Sequence, residues 1–458
     1  MRVPVYHLLF LILSSVALPL EAGTPQAFTI ADFIAVVRKS DPGFEKILLT
    51  RLRLEYQDAL LTDPDSFDVQ LQANYGEVLQ DGERFNGGSI DVNKTWTGSG
   101  TSVGAAVERN ENLGVLTETW SATITQALGK NAFGNRTGIQ EKQAALESTL
   151  LKTRMLEEYE NRLAELIHLW LDWVLARENL RLARVALEDA RLLEARAKKR
   201  FRQRVAIDID VRRARLQTLQ KEESRISRNR QYETILKNIR LYGDFSGDAI
   251  PAASTRLPYS RIVPDPAAAG ADDRQSKIAR LQEQILELKR DLREENLRSD
   301  MALSLGYNYR KSGRFTTPGR RELILGFNWL LPLEQKREVA LLHQAEIDLE
   351  SARVERRMVR QERQARLNRI LVELEHTRQL IANSGKMVTL ARQVWQGQKQ
   401  RYERGIVDIT EVTDSKNHLD QQVVNNLGHR IRLNKSAVDW LNASDQLLRE
   451  LAPTELTP

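Results

Sequence analysis

Arg200-Phe201-Arg202-Gln203-Arg204-Val205 and Arg401-Tyr402-Glu403-Arg404-Gly405-Ile406 are one short turn written twice, 201 residues apart. The register holds outward from both copies without a gap. Asp210-Val211 lies over Glu411-Val412, and Gln143-Ala144 over Gln344-Ala345. The segments Arg136 to Leu216 and Arg337 to Asn417 therefore repeat one amphipathic helical hairpin. Leu163, Ile167, Trp170 and Val174 mark its apolar stripe at three- and four-residue spacing. The run from Arg136 to Arg200 is 65 residues, which at about 1.5 Å per residue makes a rod of roughly 100 Å. Such a rod needs partners of its own length, as in a coiled coil or a helical tube.

Ahead of each hairpin the apolar period changes from helical to alternating. Phe67, Val69, Leu71, Ala73 and Tyr75 alternate with Asp68, Gln70, Gln72 and Asn74, the pattern of a strand with one apolar and one polar face. Similar alternation recurs at Ile90 to Trp96, Val103 to Val107 and Trp120 to Ile124. Candidate turns lie at Asn86-Gly87-Gly88, Thr97-Gly98-Ser99-Gly100 and Asn110 to Gly114. The second half has Leu303, Leu305, Tyr307 and Tyr309 on one strand face, a polar loop from Lys311 to Arg320, and Leu323, Leu325, Phe327 and Trp329 on another, closed by Pro332. A Thr-led helix is expected from Thr29 past Asp41-Pro42 to about Leu61, and a charged helix from about Asp273 to Asp300. Gly, Ala, Pro and Ser dominate residues 243–272, which read as a linker. The plan is a signal segment at 1–22, a first repeat of helix, strands and hairpin at 23–242, a second at 273–452, and a tail at 453–458.

Arg2, the apolar stretch Leu8 to Leu20 and Glu21-Ala22-Gly23 have the order of a secretory signal cleaved near Ala22. No later run approaches the roughly 20 apolar residues of a spanning helix, so any membrane passage is expected through strands. The cysteine count is zero, which leaves neither a disulfide nor a thiol for a lipid anchor. The 68 Lys plus Arg and 62 Asp plus Glu are interspersed along helices, the pattern of solvated faces rather than of a nucleic-acid patch. His7, His168, His343, His376, His418 and His429 make no metal-ligand pair. No phosphate-cradling loop or nucleophile-elbow serine is present. The expectation is no enzyme, cofactor or metal.

Barrel-spanning strands need about 9 to 11 residues, apolar toward lipid and polar toward the lumen. The strands here fit, and Trp96, Trp120, Tyr309 and Trp329 lie near their ends. Four to six strands cannot close a wide barrel, and open edges are not tolerated in lipid. Further copies of the chain must complete the wall, and ring closure requires cyclic symmetry.

The helix opening Thr29 to Asp41-Pro42, the passage Trp329-Leu330-Leu331-Pro332-Leu333 leading to Arg337 and Ala340, and the turn Arg401 to Val407, in this order and duplicated, resemble the TolC family of outer-membrane efflux proteins. The resemblance implies an α-helical barrel plus a transmembrane β-barrel, built by a homotrimer from two structural repeats per chain. It implies an outer-membrane location with a long periplasmic portion, twelve strands, and coupling to a periplasmic adaptor and an inner-membrane transporter. It places the adaptor-contacting tips at Phe201, Arg204, Val205, Tyr402, Gly405 and Ile406, and a tunnel constriction at Asp210, Glu411 and Asp414. Those acids read equally as helix-start residues suited to the helix dipole.

Three departures stand out. Ala127 takes the place of the proline seen at Pro332. Arg204 stands where the second turn has Gly405, which predicts a less tight first turn, because only Gly tolerates positive φ at little cost. The first half offers four strand-like runs rather than two. The expectation is twelve strands plus an inserted hairpin within Ile90 to Val107, with eighteen strands as the alternative. The function expected is a passive exit duct of an efflux or type I secretion system; the competing reading is an exported coiled-coil structural protein without a pore.

Overall fold

The computed structural model describes residues 27–61, 65–77, 84–112, 115–245, 250–252, 259, 262–264, 273–313 and 319–451. The expected signal segment and C-terminal tail lie outside these residues. Strand β1 (Ala27–Phe28) precedes α1 (Ile30–Ser40) and α2 (Pro42–Leu61), then β2 (Ser66–Glu77), β3 (Arg84–Trp96), β4 (Thr101–Asn112) and β5 (Val115–Ala127). Helices α3 (Asn135–Arg202) and α4 (Asp208–Arg240) form the first hairpin. After β6 (Ile250–Pro251) come α5 (Arg274–Asn296), β7 (Asp300–Ser312) and β8 (Arg320–Leu330), then α6 (Lys336–Glu403), α7 (Ile409–Ala443) and α8 (Leu447–Leu451). Helices α3 and α6 are each 68 residues, and both begin and end 201 residues apart. Among the described residues no helix is long and apolar enough to cross a membrane.

The chain divides into two compact units that cut across the sequence repeats. One comprises Met1–Ser40, Ile167–Leu257 and Ser384–Ile431, the other Asp41–Leu166, Pro258–Asn383 and Arg432–Pro458. In the first unit, Thr29 and Asp32 open α1 reciprocally: the Thr29 N–H donates to the Asp32 carboxylate at 3.0 Å, and the Asp32 N–H to the Thr29 hydroxyl at 3.2 Å. These bonds hold the Asp32 carboxyl below its ordinary range. Phe33, fully buried, stacks on Phe245 at 5.4 Å, with Trp173 edge-on to Phe245 at 6.2 Å. Phe245 and β6, which pairs in parallel with β1, fall in the stretch expected to be linker. That stretch reads as polar and loop-like, yet it closes this core. One aromatic side chain in a Gly-rich segment carries no periodicity by which to find it.

In the second unit, Asp41 separates two helices where the sequence predicts one. Proline at 42 lacks an N–H and disfavours helical geometry at the preceding residue. The buried Asp41 carboxylate is gripped by the Arg162 guanidinium through Nε at 2.8 Å and Nη2 at 2.7 Å. Gly43 is needed beside it, since a Cβ there would lie 2.8 Å from the carboxylate and 2.9 Å from Arg162 Nε. Elsewhere in this unit Glu157, Glu160 and Asp445 converge, and the Arg274 guanidinium sits among all three, 3.2 Å from Glu157 and 3.0 Å from Asp445. The cluster is an ion-paired knot that ties α3, α5 and the C-terminal turn.

The second unit also holds the sheet. Its order is β2-β3-β4-β5-β7-β8, every neighbour antiparallel. This corrects the extent of the hairpin expected within Ile90 to Val107: residues 84–112 are two strands, of 13 and 12 residues, in line with the rest of the sheet. It also corrects the expected turn at Asn86-Gly87-Gly88, which is paired strand, opposite Tyr75, Asn74 and Ala73. Gly87 lies against the Asn110 side chain, so close that a Cβ would overlap it. The glycines here mark close approach rather than reversal.

Candidate functional site

Two regions carry the features expected of a duct. The first is the pair of hairpin ends in the first unit. Arg204 adopts φ 60° and Gly405 φ 79°. The Val205 N–H donates to the Arg200 carbonyl and the Ile406 N–H to the Arg401 carbonyl, each at 2.9 Å. The two turns are thus equally tight, contrary to the prediction from Arg204. The helix-closing bonds fix the left-handed residue, and the arginine accepts the strain.

The two turns differ in what they bury. Phe201, Val205 and Ile406 are exposed, as are Arg204 and Gly405. Tyr402, expected among the contacts, is instead core: it is 4% exposed and packs with Ala197, Ala214, Ile409 and Val412. The Arg200 guanidinium lies over its ring at 4.5 Å and donates to its carbonyl oxygen. Burial pushes the Tyr402 phenol up. Tyr402 supports the tip from beneath, so it is no part of an outward surface in this chain.

The three acids are not brought together. The Asp210 carboxylate accepts the Ile207 N–H at 3.3 Å, closing the first turn of α4. Glu411 and Asp414 are exposed one turn apart on α7. What the sequence left unremarked is a set of polar ties between the two hairpins. Lys416 Nζ lies 2.8 Å from Asp189 and 2.9 Å from Asp420, and 4.9 Å from the Trp395 ring. Lys221 reaches Asp420 at 3.0 Å, Gln217 donates to Asn417 at 2.6 Å, and Arg213 donates to Thr410 at 3.0 Å. Burial would lower the Lys416 pKa, but the two carboxylates hold it above its ordinary value. These ties join α4 and the end of α3 to α7. Each residue alone looks like a solvated helix charge, and only the cross-hairpin pairing sets it apart.

The second region is the sheet, whose register sorts its residues into two faces. Along one row Leu71 faces Ile90, Ile90 faces Val107, Val107 faces Trp120, Trp120 faces Tyr309. The next apolar rows hold Val69, Val92, Ala105, Ala122, Tyr307 and Leu323, then Val103, Ile124, Leu305 and Leu325. Between them run rows of Gln70, Asp91, Ala106, Ser121, Asn308 and Glu322, and of Asp68, Asn93, Gly104, Thr123 and Gly306, the latter ending on β8 at Ile324. The apolar face is uncovered, with Leu71 73% and Leu323 75% exposed. Strands β2 and β8 are the two ends of the order.

No protein-family model matches the sequence, and no curated protein matches it as a relative. Among solved structures the fold is similar to that of CusC, described for conformational changes accompanying folding and transmembrane channel formation (TM-score 0.69, 13% identity, 91% of this chain and 90% of that one). It is similar to the outer membrane protein VceC of Vibrio cholerae (0.68, 11%, 91% and 95%) and to the CmeC outer membrane channel of Campylobacter jejuni (0.68, 10%, 91% and 85%). With six strands bearing one uncovered apolar face and two 68-residue helices, the chain has the fold of the TolC-family outer-membrane channels.

Proposed function

We propose that the chain is the outer-membrane exit duct of a tripartite efflux or type I secretion system, a passive tunnel coupled to a periplasmic adaptor and an inner-membrane transporter. The carrying observation is the sheet. An uncovered apolar face opposite a hydrophilic one suits lipid outside and water inside, and two free edges in lipid demand closure by further copies. A homotrimer satisfies that demand, with the helical hairpins forming the periplasmic part. A structural rod without a pore gives no reason for such a face. The likeness in fold to outer-membrane channels supports the same reading.

In this reading the hairpin ends, presenting Phe201, Arg204, Val205, Gly405 and Ile406, meet the adaptor. Glu411 and Asp414 line the narrow inner end of the tunnel. The proposal is tested by deleting the chain in a host with no second duct and fractionating the wild-type envelope. The expected result is sensitivity to toxic compounds or loss of an exported product, with a heat-modifiable trimer in the outer membrane. A soluble periplasmic chain and an unchanged phenotype would sink it.

A further inference from the structure

We infer that residues 84–112 are barrel wall, so that the trimer proposed above, on which this inference rests, closes eighteen strands (six from each of three copies) rather than twelve. Three observations carry it. First, β3 and β4 are as long as their neighbours, 13 and 12 residues against 11 to 13 for the other four, and a tilted strand needs about 9 to 11 to cross a bilayer. Second, the two-faced pattern runs through the middle of both strands. Ile90, Val92, Val103 and Val107 continue the apolar rows, while Asp91, Asn93, Gly104 and Ala106 continue the hydrophilic ones. The charged residues on the apolar face lie toward the strand ends: Lys94 reaches Asp65 at 3.9 Å and the Trp96 ring at 5.8 Å, and at the opposite end Arg109 lies 3.9 Å from Glu118, with Glu111 beyond it. A cation and an aromatic ring suit the level of the membrane interface.

Third, the β3–β4 turn is built into the passage from β5 to α3. The Ala127 N–H donates to the Gly100 carbonyl at 2.8 Å, Asn131 Nδ2 donates to the Thr97 carbonyl at 3.2 Å, and Gln126 Nε2 donates to the Ser99 carbonyl at 3.0 Å. Gly134, at φ 80°, has no room for a Cβ against Gly98. A hairpin hung outside the wall has no need of these bonds. They also explain why Ala127 is not a proline: a proline has no N–H to give to Gly100. Strand directions allow closure, because β8 runs opposite to β2 and an even number per copy keeps every junction antiparallel. Barrel diameter grows roughly linearly with strand number, so the lumen is about 1.5-fold wider than a twelve-strand wall of the same tilt. Its hydrophilic face is narrow in side-chain bulk at mid-height, with Gly104, Ala106, Ser121, Thr123 and Gly306. The exit therefore suits hydrated cargo bulkier than a twelve-strand duct admits.

The absence of native cysteine makes single-site labelling clean. Full-length protein carrying V92C, V103C, D91C or A106C, with L305C and S304C on β7 as references, is reconstituted in liposomes of brominated phosphatidylcholine. Only variants that form trimers by native mass spectrometry are scored. A fluorophore at 92, 103 and 305 is expected to lose intensity to the brominated acyl chains, whereas 91, 106 and 304 react with a membrane-impermeant thiol reagent. If 305 and 304 alternate but all four positions on β3 and β4 are unquenched and reactive, the eighteen-strand wall is overturned and the duct stands. If β7 fails to alternate as well, the duct reading falls first. A wild-type stoichiometry other than three overturns the count of eighteen.

Discussion

Arg204 and Gly405 occupy the same place in two copies of one turn, and both have positive φ. For an L residue with a Cβ the left-handed region costs roughly 1 kcal/mol or more, a cost glycine avoids. Arg204→Gly is therefore expected to raise stability by about 0.5–1 kcal/mol, read as a rise in the midpoint of thermal or denaturant unfolding. A fall would mean that the arginine side chain makes a stabilising contact in the assembly. Strain of this kind persists where the side chain serves a purpose, and an exposed cation on the proposed adaptor surface supplies one. Gly405→Val tests the other copy. A β-branched residue resists positive φ, so the substitution is expected to weaken adaptor binding in a pull-down while leaving the trimer intact; unchanged capture would refute the tip assignment. The pair Phe201 and Tyr402 shows where sequence equivalence stops. They align in the repeat, yet only the tyrosine is buried, because it packs among Ala197, Ala214, Ile409 and Val412 with Arg200 over its ring. The repeat fixes backbone position, whereas burial depends on which neighbouring helix each face meets.

At the level of elements, the alternation and the three- and four-residue stripes are sufficient to locate the six strands of the larger sheet and both hairpins, though not the short pair β1 and β6, because each period reports the face a residue presents. Glycine misled the reading at Gly87 and Gly88, since the same residue that permits a turn also permits close strand approach. The four-stranded first half was visible in the sequence, but not its integration. That depends on hydrogen bonds of Ala127, Asn131 and Gln126 to the turn at Thr97–Gly100, which no local pattern encodes. Ala127→Pro removes one of these bonds and leaves the Gly100 carbonyl with only the long bond from Gln126 Nε2, at 3.4 Å. A loss of about 1–3 kcal/mol is expected, seen as a lower temperature for trimer dissociation in gel electrophoresis. An unaffected trimer would show that the turn is not anchored. The junction of α1 and α2 gives a pH signature. Burial opposes ionisation of Asp41, yet the Arg162 bonds hold its carboxyl below the ordinary range. A depressed folded value means stability present above the unfolded carboxylate pKa, about 3.9, and lost as pH falls through the folded value. Asp41→Asn should cost about 1–3 kcal/mol at neutral pH and flatten the acid limb of the unfolding profile below about pH 4. A parallel acid limb in the variant would assign that limb to other carboxylates.

At the scale of the whole molecule, the proposed trimer has properties that no single chain has, since an open sheet edge in lipid must be closed by another copy. The carboxylates near the hairpin ends are the clearest case. In one chain Asp210 is engaged with Ile207, while Glu411 and Asp414 are exposed, with no side-chain partner among the described residues. They could equally serve as helix-start acids near the positive end of the α7 dipole. In the proposed trimer three copies of each would surround the tunnel axis, and a charge ring in a narrow, low-dielectric pore dominates the local potential and favours cations. Replacing Glu411 and Asp414 by Ala removes two charges per copy without touching the ties made by Lys416, Lys221 and Gln217. The trimer should therefore persist. In a planar bilayer the reversal potential under a salt gradient should move toward zero, as cation preference is lost, and block by multivalent cations should weaken. Selectivity and block identical to the wild type would leave both residues on the outer surface as helix-start acids.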